Sequence, residues 1–398
     1  MTRRYITVQT VMQVIELLTI IIFHLPLWVV KAIPRRSRPR PTWTLLRTVV
    51  LQYIKHGESS SRPTGSGSPD HTGIVTGTGI KGIWVPPTPH LIRGEVKEWA
   101  TLAGTDCIRI PGYWYDKPGH DVPSGAIPAD EEKVFYHLHG GAFARFSANP
   151  RDTSAHCPRG ILKQSRSIHR LFNLEYRRTQ GPADAPTHPF PAALLDAIAG
   201  YHYLVSHVGF APENIVLSGD SAGANLALAL ARYLVEQRAH GDSPVPPAPG
   251  ALVLLSPWVD LSVRGHEPNS SLYTNLESDF VDTFDSRWTL LIRQYLGPLG
   301  WMAAETNRYI SPASELLRDD EVSFEGFPRT MIIVGGAETL RDQARVLRRR
   351  TVKDLGERNV EYHEFPDAFH NFMAIPGFEP ERSQGHNLIH RWLETTHF

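Results

Sequence analysis

A chain of 398 residues with 41% hydrophobic and 21% charged content can bury a sizeable core, as one large domain or two ordinary ones. Its 41 basic residues match 41 acidic ones, and a formal charge of zero argues against the basic face that nucleic-acid binding requires. Two cysteines, Cys107 and Cys157, cannot build a disulfide framework; without a C-x-x-C pair or a histidine at ligand spacing, both read as buried inert thiols.

The first element is apolar. Val11 to Val30 has about the length that spans a hydrocarbon core. Arg3 and Arg4 precede it, and Lys31, Arg35, Arg36, Arg38 and Arg40 follow. Gln13, Glu16, Thr19 and His24 interrupt it, and a charge at mid-span costs about 2.5–3.5 kcal/mol. Gln9, Gln13 and Glu16 share one helical face, which suits an interfacial helix. Three readings stay open: a spanning anchor, an interfacial helix, and a cap helix packed on the globular domain. A signal peptide is disfavoured, because Glu16 breaks the apolar run and no small-residue cleavage site follows. Residues 1–40 are therefore expected to associate with a membrane. The basic residues after the run favour a cytoplasmic globular domain if there is a single span.

From Gly57 to Gly82 the chain is rich in Gly, Ser, Thr and Pro, the composition of an exposed loop. Gly77, Gly79 and Gly82 match G-x-G-x-x-G, but a dinucleotide site needs a helix to begin there. Ile83-Trp84-Val85 and three prolines follow instead, which suits a short strand and a turn.

Beyond Lys133 the pattern is that of an α/β protein. Strand-like runs are expected at Val134–Leu138, Ile168–Tyr176, Ile215–Ser218, Leu252–Ser256, Thr330–Val334 and Val360–Phe365. Helical patterns at Ala192–Val208, Ala222–Gln237 and Leu340–Leu355 lie between several of them. This alternation implies a mostly parallel sheet with helices on both faces and ligands at the carboxyl ends of its strands. Val259 to about Ile310 interrupts it and reads as an inserted helical lid carrying Trp288, Leu290, Leu291, Tyr295 and Leu296. The expected organisation is one α/β domain over 41–398, with cap elements from about 41–130 and 259–310.

Gly219-Asp220-Ser221-Ala222-Gly223 carries the chemistry. A serine hydroxyl is a poor nucleophile without a base, and G-x-S-x-G exposes one on a sharp strand-to-helix turn. The bare pattern arises by chance in about one of seven such chains, so context decides. Asn214–Gly219 is a good strand and Ala222–Arg232 a good helix. Tyr136-His-Leu-His139-Gly140-Gly141-Ala142-Phe143 follows the first strand. Its glycines let backbone N–H groups approach a developing oxyanion, so Gly140, Gly141 and Ala222 are the expected donors. Zinc at His137 and His139 lacks a third ligand at supporting spacing, and His266-Glu267 and His363-Glu364 lack the second histidine of H-E-x-x-H. Among 19 histidines, His370 stands out as the base because it follows the last strand in a loop with aromatic neighbours. Glu338, just after Thr330–Val334, is the expected acid, with Asp342 and Asp367 as rivals. The order Ser221, Glu338, His370 is that of α/β-hydrolases.

At these residues the chain resembles the hormone-sensitive-lipase-like esterases, a group that includes arylacetamide deacetylases and fungal steryl acetyl hydrolases. The resemblance rests on His139–Phe143, Glu175-Tyr176-Arg177, Ala185–Leu194 with Asp196, Gly219–Leu226, Ser256–Asp260, Glu338–Asp342 and Phe369–Phe372. It implies the α/β-hydrolase fold and a metal-free, cofactor-free carboxylester hydrolase acting on short acyl esters, often of hydrophobic alcohols. Related deacetylases can face the endoplasmic reticulum lumen. Three positions depart from the family's pattern: Ala142 replaces a third glycine, Thr187 a glutamate, and Glu338 the usual aspartate. Plant hormone receptors on this fold lack the histidine that His370 supplies here. Two other outcomes share these residues: an acyltransferase, amidase or lactonase using the same triad, and a non-catalytic ligand-binding protein.

Overall fold

The computed structural model describes residues 8–60, 69–239, 241, 243–262, 264 and 266–395. Arg3 and Arg4, the side chains of Gln9 and Gln13, and part of the Gly57–Gly82 loop lie outside the described residues. The chain divides into two compact units, Met1–Ser61 with Glu277–Phe280, and Arg62–Leu276 with Val281–Phe398.

In the first unit, α1 (Val8–Thr19) continues through a π-helical turn (Ile20–His24) into α2 (Leu25–Ala32), and α3 (Leu45–Ser60) follows. Val14–Ala32 is long and apolar enough to cross a membrane. Most of its large side chains are exposed, Phe23 at 67% and Val30 at 63%, whereas Ile20, Trp28 and Val29 are half-buried. The end of α2 is held by Arg38, whose guanidinium donates to the carbonyls of Ala32 (2.8 Å), Trp43 (2.6 Å) and Ile33 (3.2 Å). These include carbonyls that the helix end leaves without intrahelical donors. His24 stacks on Trp28 and lies 4.6 Å, ring to ring, from His56 of α3.

The second unit carries one eight-stranded sheet. Its strands are β1 (Lys81–Val85), β2 (Ile110–Asp116), β3 (Lys133–Leu138), β4 (Ile168–Leu174), β5 (Ile215–Asp220), β6 (Ala251–Leu255), β7 (Arg329–Gly335) and β8 (Val360–Phe365). The order is β1-β2-β4-β3-β5-β6-β7-β8, with the β1–β2 and β2–β4 pairs antiparallel and the others parallel. Helices α4 (Gly94–Leu102), α5 (His156–Gln164), α6 (Ala192–His202), α7 (Ala222–Arg238), α8 (Ser271–Thr274), α9 (Ser286–Leu296), α10 (Met302–Thr306), α11 (Arg341–Leu355) and α12 (Glu381–Glu394) complete the unit. β5 and β6 are buried along their whole length. Strands covered on both faces read as continuous apolar runs, which is why they are visible in the sequence. The Gly77–Gly82 motif leads into β1, not into a helix, as its context predicts.

The cap expected from about 41–130 needs correction. Lys81–Val85 and Ile110–Asp116 are sheet strands, and Leu45–Ser60 belongs to the first unit. Pro111 and Gly112 obscure β2 in the sequence, because both residues are depleted in strands. Packing explains the glycine: a Cβ on Gly112 would lie 2.1 Å from Phe172 on the neighbouring β4. The 259–310 segment is helical where it forms α8, α9 and α10. α9 buries Trp288, Ile292, Tyr295 and Leu296.

Candidate active site

The site forms at the carboxyl end of the parallel strands. β5 ends at Asp220, Ser221 turns with φ 53° and ψ −120°, and α7 starts at Ala222. That conformation is costly for a residue with a Cβ and persists only where neighbours fix it. Ser221 N–H donates to Leu255 O (2.9 Å), and Trp258 N–H donates to Ser221 O (3.2 Å), so the end of β6 grips both sides of the serine. The flanking glycines are sterically required. A Cβ on Gly219 would sit 2.3 Å from Gly223 O, and one on Gly223 would sit 2.0 Å from Leu138 O.

His370 and Glu338 arrive from two other strands. His370, in the turn after β8, places Nε2 2.9 Å from Ser221 Oγ. Its Nδ1 lies 3.9 Å from Glu338 Oε2, within ion-pair range and longer than a hydrogen bond. Glu338 is fully buried after β7, and its Oε2 accepts from Ser256 Oγ (2.8 Å) and Gly335 N–H (3.1 Å). The rival Asp342 is engaged elsewhere, accepting from Ser271 N–H (2.6 Å) and Arg341 (2.9 Å). Asp367 is half-buried in the turn after β8. The structure thus brings Ser221, His370 and Glu338 together in the arrangement that can take a proton from a serine hydroxyl and hold the resulting imidazolium.

Of the three expected oxyanion donors, Gly140 is corrected. Its N–H donates to Asp220 Oδ1 (3.1 Å), so it is spent on holding the loop. Sequence shows that glycines lie here but not which way each peptide N–H turns. Gly141 and Ala222, by contrast, donate to no acceptor among the described residues. The loop that carries Gly141 is tightly coiled, with positive φ at Gly141 (112°), Ala142 (54°) and Phe143 (58°). Gly141→Ala would place a Cβ 2.4 Å from Arg145 O at a φ that L residues avoid. It is expected to lower kcat about 10²–10³-fold, the cost of displacing one oxyanion donor, as measured by steady-state hydrolysis.

Asp220 ties the site together and was not singled out in the sequence. Its carboxylate accepts from Gly140 N–H and from Asn371 Nδ2 (2.6 Å), and His137 Nε2 lies 3.3 Å away. Burial pushes this carboxyl up, but His137 and Asn371 outweigh burial and hold it below its ordinary range. His137, Cys157 and Asp220 bring three metal-ligand atom types within 4.8 Å of one another, a group that does not include His139. They suit an ion poorly. The carboxylate already has donors on both oxygens, Gly140 N–H on Oδ1 and Asn371 Nδ2 on Oδ2. His139 stacks on Tyr176, and burial pushes its imidazole down to about 4, so it is neutral at pH 7. Cys107 is half-buried, less than expected, and burial raises its thiol to about 11, which leaves it a weak nucleophile.

The other landmark residues are structural. Arg177 makes a buried pair with Asp196, with Nη2 2.8 Å from Oδ1, and Tyr176 OH donates to His139 O (2.6 Å). Trp258, whose N–H donates to Ser221 O, lies between Phe143 (6.4 Å) and Trp288 (5.6 Å), and Phe143 stacks on Tyr295 of α9 at 3.7 Å.

A strand-turn-helix serine facing a histidine from beyond the last strand defines a serine hydrolase of the α/β-hydrolase fold. The sequence profile of that fold matches residues 135–374, and the chain belongs to the α/β-hydrolase family. An acetyl-hydrolase of Streptomyces hygroscopicus is 30% identical over 278 residues, covering 70% of this chain and 81% of that protein. Esterase LipU of Mycobacterium tuberculosis is 31% identical over 264 residues, covering 65% of this chain and 76% of its own. Among solved structures, a hormone-sensitive lipase from a metagenome library superposes with a TM-score of 0.54 at 27% identity, covering 71% of this chain and 81% of that one. The chain is a serine carboxylester hydrolase related to the hormone-sensitive-lipase-like esterases.

Proposed function

We propose that the chain hydrolyses short-acyl esters of hydrophobic alcohols through an acyl-enzyme on Ser221, with His370 as base, Glu338 as acid, and Gly141 and Ala222 as oxyanion donors. The observation that carries this reading is the 2.9 Å contact between His370 Nε2 and Ser221 Oγ at the strained turn. As Ser221 Oγ attacks the carbonyl carbon, its proton passes to His370 Nε2. The carbonyl oxygen becomes an oxyanion facing the two N–H groups, and Glu338 stabilises the imidazolium. His370 then protonates the departing alcohol. Water, deprotonated by His370, attacks the acyl carbon; the bond from that carbon to Ser221 Oγ then breaks, His370 returns the proton to Ser221 Oγ, and the acid leaves.

The likeness to an acetyl-hydrolase and to esterases supports a short-acyl ester as the substrate. p-Nitrophenyl esters from acetate to palmitate test this: kcat/KM is expected to peak at the short esters. A rise through palmitate would contradict the short-acyl assignment. Adding an alcohol or amine acceptor in the same assay separates hydrolysis from acyl transfer, which would give a transferred-acyl product.

The exposed apolar helix supports attachment to a membrane. The full chain is expected to float with phospholipid vesicles, and Ile21→Asp combined with Phe23→Asp is expected to leave it in the soluble fraction. Carbonate washing distinguishes a spanning helix, which resists it, from an interfacial one, which is released. Soluble behaviour of the unsubstituted chain would exclude both.

A further inference from the structure

We propose that Ser256 is a positioning residue that aims Glu338 at His370; the proposal rests on the reading of Glu338 as the acid. Ser256 lies just past β6, 2% exposed and with φ 42°, a conformation that a serine adopts only where its surroundings hold it. Its backbone N–H donates to Ile333 O at 2.7 Å. Its hydroxyl then makes two contacts of opposite sense. Asn371 N–H, next to His370, donates to Ser256 Oγ at 3.0 Å, and Ser256 Oγ stands 2.8 Å from Glu338 Oε2.

A hydroxyl has one proton. Because the peptide N–H of Asn371 can only donate, that proton is free to be given to Glu338, whose Oε2 accepts it. The direction of both bonds is thereby fixed. One oxygen atom holds the acid on one side and the histidine's loop on the other. Gly335 N–H also donates to Oε2, but of the two donors only Ser256 ties that oxygen to the loop of His370 and so to the gap between His370 Nδ1 and Glu338 Oε2. The oxygen that receives the Ser256 proton is also the one that faces His370. A glutamate has one more rotatable bond than the aspartate usual at this position, so its carboxylate needs the additional restraint. Ser256 touches neither the ester nor the proton in flight, and acts through Glu338.

Ser256→Ala is expected to lower kcat about 10²-fold, the scale of a small misplacement in a preorganised site, with KM within about twofold of native. Ser256→Gly accepts φ 42° without strain and also lacks the hydroxyl, so it is expected to lose as much as Ser256→Ala. The decisive measurement is a cycle with Glu338→Gln. If Ser256 works through the acid, Ser256→Ala costs less than about threefold once Glu338 is neutralised. An equal loss in both backgrounds would overturn the proposal. So would native kcat in Ser256→Ala, or full recovery in Ser256→Gly, which would assign the effect to backbone strain. If Glu338→Gln itself keeps native kcat, the assignment of the acid fails; if it is crippled while Ser256→Ala is native, only the role of Ser256 fails.

Discussion

Ser221→Ala is expected to lower kcat for p-nitrophenyl acetate by about 10⁶-fold, His370→Ala by a similar factor, and the double variant by no more than either. The non-additivity follows from the geometry. Ser221 Oγ and His370 Nε2 are 2.9 Å apart and serve one proton transfer, so removing either group removes the step. What survives is the stabilisation offered by Gly141 and Ala222 N–H, which needs neither side chain. Both substitutions shorten side chains without changing the strained backbone at residue 221, so KM is expected to hold within a few-fold. Rates measured on purified variants, with active protein counted by folded-state fluorescence, check this. Independent, multiplicative losses would show that the two residues do not act as a unit.

Glu338→Gln is expected to lower kcat by about 10⁴-fold, because a neutral amide neither stabilises the imidazolium nor fixes the tautomer that leaves Nε2 able to accept. Asp342→Asn is expected to stay within about threefold of native. Asp342 Oδ2 accepts from Ser271 N–H and Oδ1 from Arg341; the single oxygen of its amide analogue can keep the Ser271 bond, and the part-exposed Arg341 contact that is lost lies away from His370. The contrast separates the two carboxylates nearest in sequence. The 3.9 Å gap between His370 Nδ1 and Glu338 Oε2 is expected to tighten as charge develops on the imidazole. A crippled Asp342→Asn beside an active Glu338→Gln would reassign the acid.

Much of this site was legible in the sequence because it lies at transitions. Ser221 sits where β5 gives way to α7, and His370 and Glu338 follow β8 and β7, so their places follow from the alternation of apolar strand and amphipathic helix. What was not legible depends on direction and on distant partners. The Gly140 amide turns to Asp220, a residue 80 positions away, and no local pattern encodes that turn. Asp220 read as the variable position of G-x-S-x-G, yet it joins the glycine loop to Asn371. Ser256 belonged to a recognisable Ser-Pro-Trp segment, but its role depends on Glu338 and Asn371, brought to it from β7 and β8. β2 was hidden by Pro111 and Gly112, whose fit depends on the ring of Phe172 across the sheet.

The most direct test of Ser221 as nucleophile is covalent. Incubation of the native chain with a fluorophosphonate, followed by peptide mass spectrometry, is expected to place one label on Ser221, with esterase activity lost in proportion to labelling. Full loss of activity with Ser221 unmodified, or full activity with Ser221 labelled, would contradict the account.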